Sequence, residues 1–277
     1  MTPLLAVDDL WVTFPTRGGP ADVVRNVGFT LGRERLGIVG ESGSGKSQTG
    51  RAILGLTPQP GRVRAARLEF DGIDLRAAPP RLWRDLRGGR ISMVMQDPKF
   101  SLNPVMTIGR QIVEAYGAHF RAQQVEMRRR ALDMLEAVQI RDPERVFAAY
   151  PHELSGGMGQ RAMIAMMLIT EPDLLIADEP TSALDVTVQL EVLGILDRLV
   201  RDRGMGLIFI SHDLRLVSSF CDRVLVMYAG RVVEEIAAAD LGAARHPYTR
   251  GLLACLPEVE GPPGPLPTLQ RDAAWSQ

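Results

Sequence analysis

Between residues 4 and 72, short apolar runs alternate with turns: LLAVDDLWVTF (4–14), VVRNVGFTL (23–31), RLGIVG (35–40) and RVRAARLEFDG (62–72). Period-two alternation with β-branched residues, bounded by Gly and Asp, predicts strands. ESGSGKSQTGRAILGL (41–56) then reads as a loop entering a helix. Over 103–150 the period changes. Ile108, Ile112, Val113 and Tyr116, then Val125, Met127, Leu132, Leu135 and Val138, predict amphipathic helices. From 174 the strands return as LLIADEP, GLIFISHD and RVLVMYAG, separated by helical patterns at 185–203 and 213–221. Strand and helix in alternation predict a parallel sheet covered on both faces, with functional residues at the strands' carboxyl ends. The stretch EGPPGPLPTLQRDAAWSQ (260–277) reads as a poorly ordered tail, and no internal repeat is found.

Composition narrows the function classes. Lys plus Arg number 32 against 33 Asp plus Glu, so charge offers no reason for a nucleic-acid or lipid partner. AMIAMMLI (162–169), the most apolar run, is shorter than the roughly 20 residues a membrane span needs. The opening MTPLLAVDDL lacks a basic region before an apolar one, so no cleaved signal is expected, and the expected location is cytoplasmic. Cys221 and Cys255 have no metal-site spacing and are expected to be idle thiols. Lysine occurs only at Lys46 and Lys99 in a chain that otherwise uses arginine.

GESGSGKS, comprising Gly40, Glu41, Ser42, Gly43, Ser44, Gly45, Lys46 and Ser47, is a full GxxxxGK[ST] match between a strand and a helix. Glycines let successive N–H groups turn inward onto phosphate oxygens, and the helix N-terminus adds its positive end. Lys46 is expected to reach the β- and γ-phosphates of a nucleotide, and Ser47 to offer its hydroxyl to Mg²⁺; Gln48 completes the binding set. A lysine retained here suits a site that needs a compact ammonium rather than a planar fork. In LLIADEP, Asp178 and Glu179 sit where a strand ends. Asp178 is expected to hold Mg²⁺, and Glu179 to orient and deprotonate the attacking water. A lone Asp-Glu pair there also fits a solvated turn.

LSGGMGQ (154–160) resembles the signature sequence of the ATP-binding cassette (ABC) ATPases, and further elements follow in that family's order. Phe14 falls where the family has an aromatic that stacks on adenine, although a core aromatic would read the same way. Gln96 in VMQDP resembles the Q-loop glutamine, SALD (182–185) the D-loop with Asp185, and His212 in ISHD the switch histidine. The resemblance implies an α/β P-loop NTPase (RecA-like) core with an N-terminal antiparallel β subdomain and an inserted α-helical subdomain. The implied boundaries are 1–97 and 161–235 for the core, 98–160 for the helical subdomain and 236–277 for a C-terminal extension. It implies ATP and Mg²⁺ as cofactors. Ser47, Gln96 and Asp178 fall at the metal, Glu179, His212 and Gln96 at the chemistry, and Ser155, Gly156, Gly157, Gln160 and Asp185 in a half-site that completes a partner's nucleotide site.

DPKFSLNPVMTIGRQI (97–112) and RHPYTRGLLACLP (245–257) resemble the oligopeptide, dipeptide and nickel importer branch. The latter also reads as an ordinary Pro-started helix. That branch implies a non-identical second ATPase subunit, two integral-membrane permease subunits and an extracytoplasmic solute-binding protein. It implies a peripheral position on the cytoplasmic face of the inner membrane, and no nucleic acid. Peptide, nickel, metal-chelate and opine-type solutes all remain open, and a soluble cassette acting on nucleic acid or ribosomes is the contrasting class. Many members carry a cysteine-rich tail, where this chain has Cys255 alone nearby. At Gly159, where related sequences often carry a basic residue, the side chain is missing.

Overall fold

The structure is a computed structural model that describes residues 2–96, 101–181, 184–256 and Trp275. Lys99, with 97–100 of the importer-like stretch, Ser182 and Ala183 of SALD, and most of the Pro-rich tail lie outside the described residues. Two compact units divide the chain: Met1–Ala77 with Ile208–Gln277, and Ala78–Leu207.

The first unit opens with β1 (Leu5–Thr16) and β2 (Gly19–Leu31), an antiparallel hairpin in which Leu5 opposes Leu31 and Val7 opposes Phe29. Leu5 and Val7 point inward, then Leu10 and Val12 do, so the inward phase slips from odd to even positions. The slip is a bulge, with Asp9 at φ 49 and the register broken between Val7 and Leu10. After β3 (Arg35–Val39) and α1 (Lys46–Ile53) come β4 (Arg62–Arg64), β5 (Arg67–Phe70) and β6 (Ile73–Asp74). Strands β2, β1, β5 and β6 lie in that order, and β4 also pairs with β1. This is an antiparallel N-terminal β-rich subdomain.

In the second unit, α2 (Pro80–Leu86) precedes β7 (Ile91–Val94). Further along come α3 (Ile108–Gly117), α4 (Gln124–Ala137), α5 (Pro143–Ala148) and α6 (Gly156–Leu168). Ile108, Ile112, Ala131, Met134, Leu135, Val138 and Val146 form their shared core. The helices are where the 3.6-residue period places them, but one face assignment needs correction. Val125 is 80% exposed, because it lies six residues before Ala131, about 120° off the buried face. Beyond them come β8 (Leu174–Asp178) and α7 (Val186–Arg203). β8 is buried along its whole length and pairs in parallel with β7, Ile91 opposite Leu174 and Val94 opposite Ala177. Asp185 caps α7, accepting from the Val188 N–H at 3.0 Å, and Gly204 in the left-handed region ends it.

The chain re-enters the first unit through β9 (Gly206–Ser211), α8 (Leu214–Phe220), β10 (Arg223–Tyr228), β11 (Arg231–Ala237) and α9 (Pro247–Ala254). Here the strand order is β11, β10, β3, β9. β10 runs parallel to β3, whereas β11 folds back antiparallel on β10, so the sheet expected to be parallel carries an antiparallel edge. Arg35 and Asp222 fasten the start of β3 to that of β10 by an ion pair at 2.6 Å. The hydrogen bond from Arg35 holds the Asp222 carboxyl below the usual carboxylate range. Among the described residues, no helix is long and apolar enough to cross a membrane.

Candidate nucleotide-binding site

β3 ends at Val39, and the next six residues form the loop that leads into α1. Gly40 lies hard against β10: a Cβ there would stand 2.1 Å from the Met227 carbonyl oxygen. Gly45, at φ 101, would place a Cβ 2.5 Å from the Val23 carbonyl oxygen, while Gly43, at φ 81, faces open space. The loop therefore needs glycine at its two ends for close approach and at Gly43 for backbone shape. Gly45 also occupies the N-cap of α1, where glycine supplies no side-chain cap.

Lys46 is buried, and its ammonium donates to the Gly40 carbonyl at 2.7 Å and to the Glu41 carbonyl at 2.8 Å. The side chain thus folds back over the loop. The Ser44 hydroxyl and Gln48 Oε1 are buried without a hydrogen-bond partner. A cradle that side chains would fill, orphaned polar atoms and an uncapped helix start together suit a polyphosphate. Phe14 is half-buried, with its ring against Gly61, where a Cβ would come within 2.6 Å of it.

His212 stands exposed on the bend after β9. Its neighbours are fixed: Asp213 accepts from the Arg215 and Leu216 N–H groups at 2.9 and 3.1 Å, and Ser211 Oγ accepts from the Asp213 N–H at 3.0 Å. Cys221 is buried, and burial pushes its thiol up to about 12, so it stays protonated.

In the second unit, β8 delivers Asp178, only 4% exposed, and then Glu179 at φ 48. A left-handed conformation at a non-glycine residue costs of order 1–3 kcal/mol. Gln96, following β7, donates from Nε2 to Glu179 Oε2 at 2.9 Å, which joins two predicted site residues 83 positions apart. Gln160 is buried and donates to the Pro180 carbonyl at 2.5 Å, tying the signature helix to the segment after Glu179.

Ser155 caps α6, accepting from the Met158 N–H at 3.3 Å, and is exposed together with Gly156. A Cβ on Gly157 would meet Val188 Cγ1 at 2.9 Å, so the starts of α6 and α7 touch there. Ser155, Gly156, Gly157 and Asp185 line one open cleft of about 1190 Å³, with Arg161 and Glu191 paired in it. Arg161 also donates to the Gln139 carbonyl at 3.0 Å. Gly159, the position lacking a basic side chain, is buried on α6. Among the described residues, no cluster of His, Cys, Asp and Glu forms a metal site by itself.

A strand, a glycine loop with its lysine folded back, a helix opening without a cap and a buried carboxylate at the end of a second strand define a P-loop nucleotide-binding protein. The ABC transporter family model matches residues 24–182. The chain is 48% identical over 257 residues to the dipeptide transport ATP-binding protein DppD of Escherichia coli, covering 92% of this chain and 79% of that one. It is 46% identical over 263 residues to the oligopeptide transport ATP-binding protein OppD of Bacillus subtilis, covering 94% and 74% respectively. The dimeric structure of MJ0796, a bacterial ABC transporter cassette, superposes with a TM-score of 0.75 at 27% identity, over 84% of this chain and 98% of that one. Structure cbiO1 from Clostridium perfringens gives a TM-score of 0.72 at 26% identity, over 88% and 92%. The chain belongs to the ABC transporter family, as an ATP-binding and ATP-hydrolysing subunit with a RecA-like core.

Sequence reasoning left one contact of the phosphate loop unseen: the Glu41 N–H donates to the Tyr248 hydroxyl at 3.0 Å. The two residues are 207 positions apart, and no local pattern in the chain connects them.

Proposed function

We propose that the chain energises a peptide importer, taking ATP at the Gly40–Ser47 loop and hydrolysing it with Glu179 as the base. The observation that carries the chemistry is the Glu179 carboxylate, held by Gln96 at 2.9 Å at the end of a buried strand. Kinship to dipeptide and oligopeptide transport ATP-binding proteins supports the solute class. The loop's N–H groups and Lys46 bind the β- and γ-phosphates, and Phe14 stacks on adenine. Ser47, Asp178 and Gln96 supply oxygen donors of the kind Mg²⁺ prefers. When bound, Mg²⁺ neutralises charge that builds on the phosphates during transfer. Glu179 takes the proton from the attacking water, Gln96 orients the carboxylate, and His212 contacts the γ-phosphate.

A second, non-identical ATPase subunit completes the arrangement. Ser155, Gly156 and Gly157 face that subunit's nucleotide, with Gln160 holding α6 in place and Asp185 linking the two sites. ATP held between the subunits favours the closed dimer, and hydrolysis removes that preference. Residues 98–160 dock on helices of a membrane permease; the assembly's two permease subunits receive solute from an extracytoplasmic binding protein, and the chain sits on the cytoplasmic face of the membrane. Glu179→Gln tests this reading. ATP binding is expected to persist while turnover falls by about 10²–10⁴-fold, because the cradle is intact and the base is gone. Undiminished hydrolysis removes Glu179 from the mechanism.

A further inference from the structure

The C-terminal segment is fastened at several points before it reaches the phosphate loop. Glu234 of β11 accepts from the N–H groups of Arg245 and His246 at 2.6 and 3.3 Å. His246 Nδ1 then accepts from the Tyr248 N–H at 3.2 Å, capping α9. Tyr248 is fully buried, its ring centroid 4.5 Å from that of Tyr228, and the Trp275 ring lies 6.0 Å from both. From this socket its hydroxyl accepts the Glu41 N–H.

That N–H belongs to the same planar peptide group as the Gly40 carbonyl. A trans peptide points its N–H and C=O in opposite directions and turns as one plate. One edge of the plate is held by Tyr248 at 3.0 Å and the other receives the Lys46 ammonium at 2.7 Å. Rotation of the plate about its flanking bonds moves both partners together.

We propose that Tyr248 is a positioning residue of the ATP site. By setting the rotation of the Gly40–Glu41 peptide it sets where the Lys46 ammonium rests, and so couples the C-terminal helix to nucleotide binding. This rests on the reading of the Gly40–Ser47 loop as the site of the ATP phosphates. Coupling between sites is reciprocal, so ATP in turn tightens the seating of α9.

The test is Tyr248→Phe in the full chain, which keeps the ring beside Tyr228 and Trp275 and removes only the hydroxyl. Titration with Mg-ATP is expected to show affinity weakened roughly fivefold, the low end of measured couplings between sites. In the parent, saturating ATP is expected to slow amide hydrogen exchange across Pro247–Ala254, and in Tyr248→Phe that response is expected to vanish. Unchanged ATP affinity in Tyr248→Phe overturns the proposal, including the case where only the melting temperature falls. So does exchange in α9 of the parent that ignores ATP. Lys46→Ala, titrated alongside, distinguishes the two levels: retained ATP binding there sinks the site assignment itself, whereas lost binding there with normal affinity in Tyr248→Phe sinks only the coupling.

Discussion

Gly43→Ala and Gly45→Ala place the same methyl group two positions apart in one loop, yet their surroundings differ. Both glycines have positive φ, 81 and 101, so alanine at either costs about 1–2 kcal/mol of backbone strain. At Gly43 nothing lies within 4 Å of the new Cβ, and strain is the whole cost. At Gly45 the Cβ would stand 2.5 Å from the Val23 carbonyl, a backbone atom within β2 that no rotamer change can move. Forcing that overlap adds about 1–3 kcal/mol, as in other overpacked sites. The empty loop can relax away from either penalty, while the phosphate-binding shape cannot. Expressed as ATP affinity at about 1.4 kcal/mol per decade, Gly43→Ala loses about five- to thirtyfold and Gly45→Ala roughly thirty- to several-thousandfold. Calorimetric titration with Mg-ATP reads the affinities, and thermal melting without nucleotide confirms that both variants are folded. Gly43→Ala binding ATP as weakly as Gly45→Ala refutes the assignment of the difference to the Val23 contact.

Two further outcomes are expected. Ser155→Arg removes the N-cap of α6, lowering stability by about 1 kcal/mol, and leaves ATP binding by the isolated chain unchanged while abolishing ATP-dependent dimerisation with the partner subunit; weaker ATP binding in the isolated chain contradicts a signature that acts across the dimer. Burial pushes the Glu234 carboxyl up, but hydrogen bonds including those from the Arg245 and His246 N–H groups outweigh it and hold it below the usual range. Its stabilising contribution is therefore complete above the unfolded value of about 4.3 and lost as pH falls through the lower folded value. The melting-temperature gap between the parent and Glu234→Gln should shrink on acidification below about pH 4, and a gap independent of pH contradicts the assigned ionisation.

Features written locally are legible in the amino-acid sequence. GESGSGKS states its strand, loop and helix within twenty residues, and the uniformly apolar β8 announces burial on both faces before its two carboxylates. Periodicity also marks the helices of 108–168, although it overextends the buried face of α4 to Val125, since a pattern sees apolar residues and not which side they take. Partnerships between distant positions are beyond it. Gln96 and Glu179 can be placed near one another only by analogy, and their hydrogen bond depends on the parallel register of β7 and β8. The left-handed φ of Glu179 has no local signal either, because Glu is not a residue that advertises that conformation. Tyr248 reads as an ordinary buried aromatic at the start of a Pro-initiated helix, and its hydroxyl's partner is decided by how α9 packs.

The contact between Gly157 and Val188 makes the two positions energetically dependent on one another. The space a methyl group at 157 would need is taken by Val188 Cγ1 at 2.9 Å, a side chain and not a backbone atom. A smaller residue at 188 would open that space, so the two positions, one in the signature and one at the start of α7, share a single small volume. Gly157→Ala is therefore expected to lower the melting temperature by itself, and Val188→Ala made together with it to relieve the overlap and cost less than the sum of the two single changes.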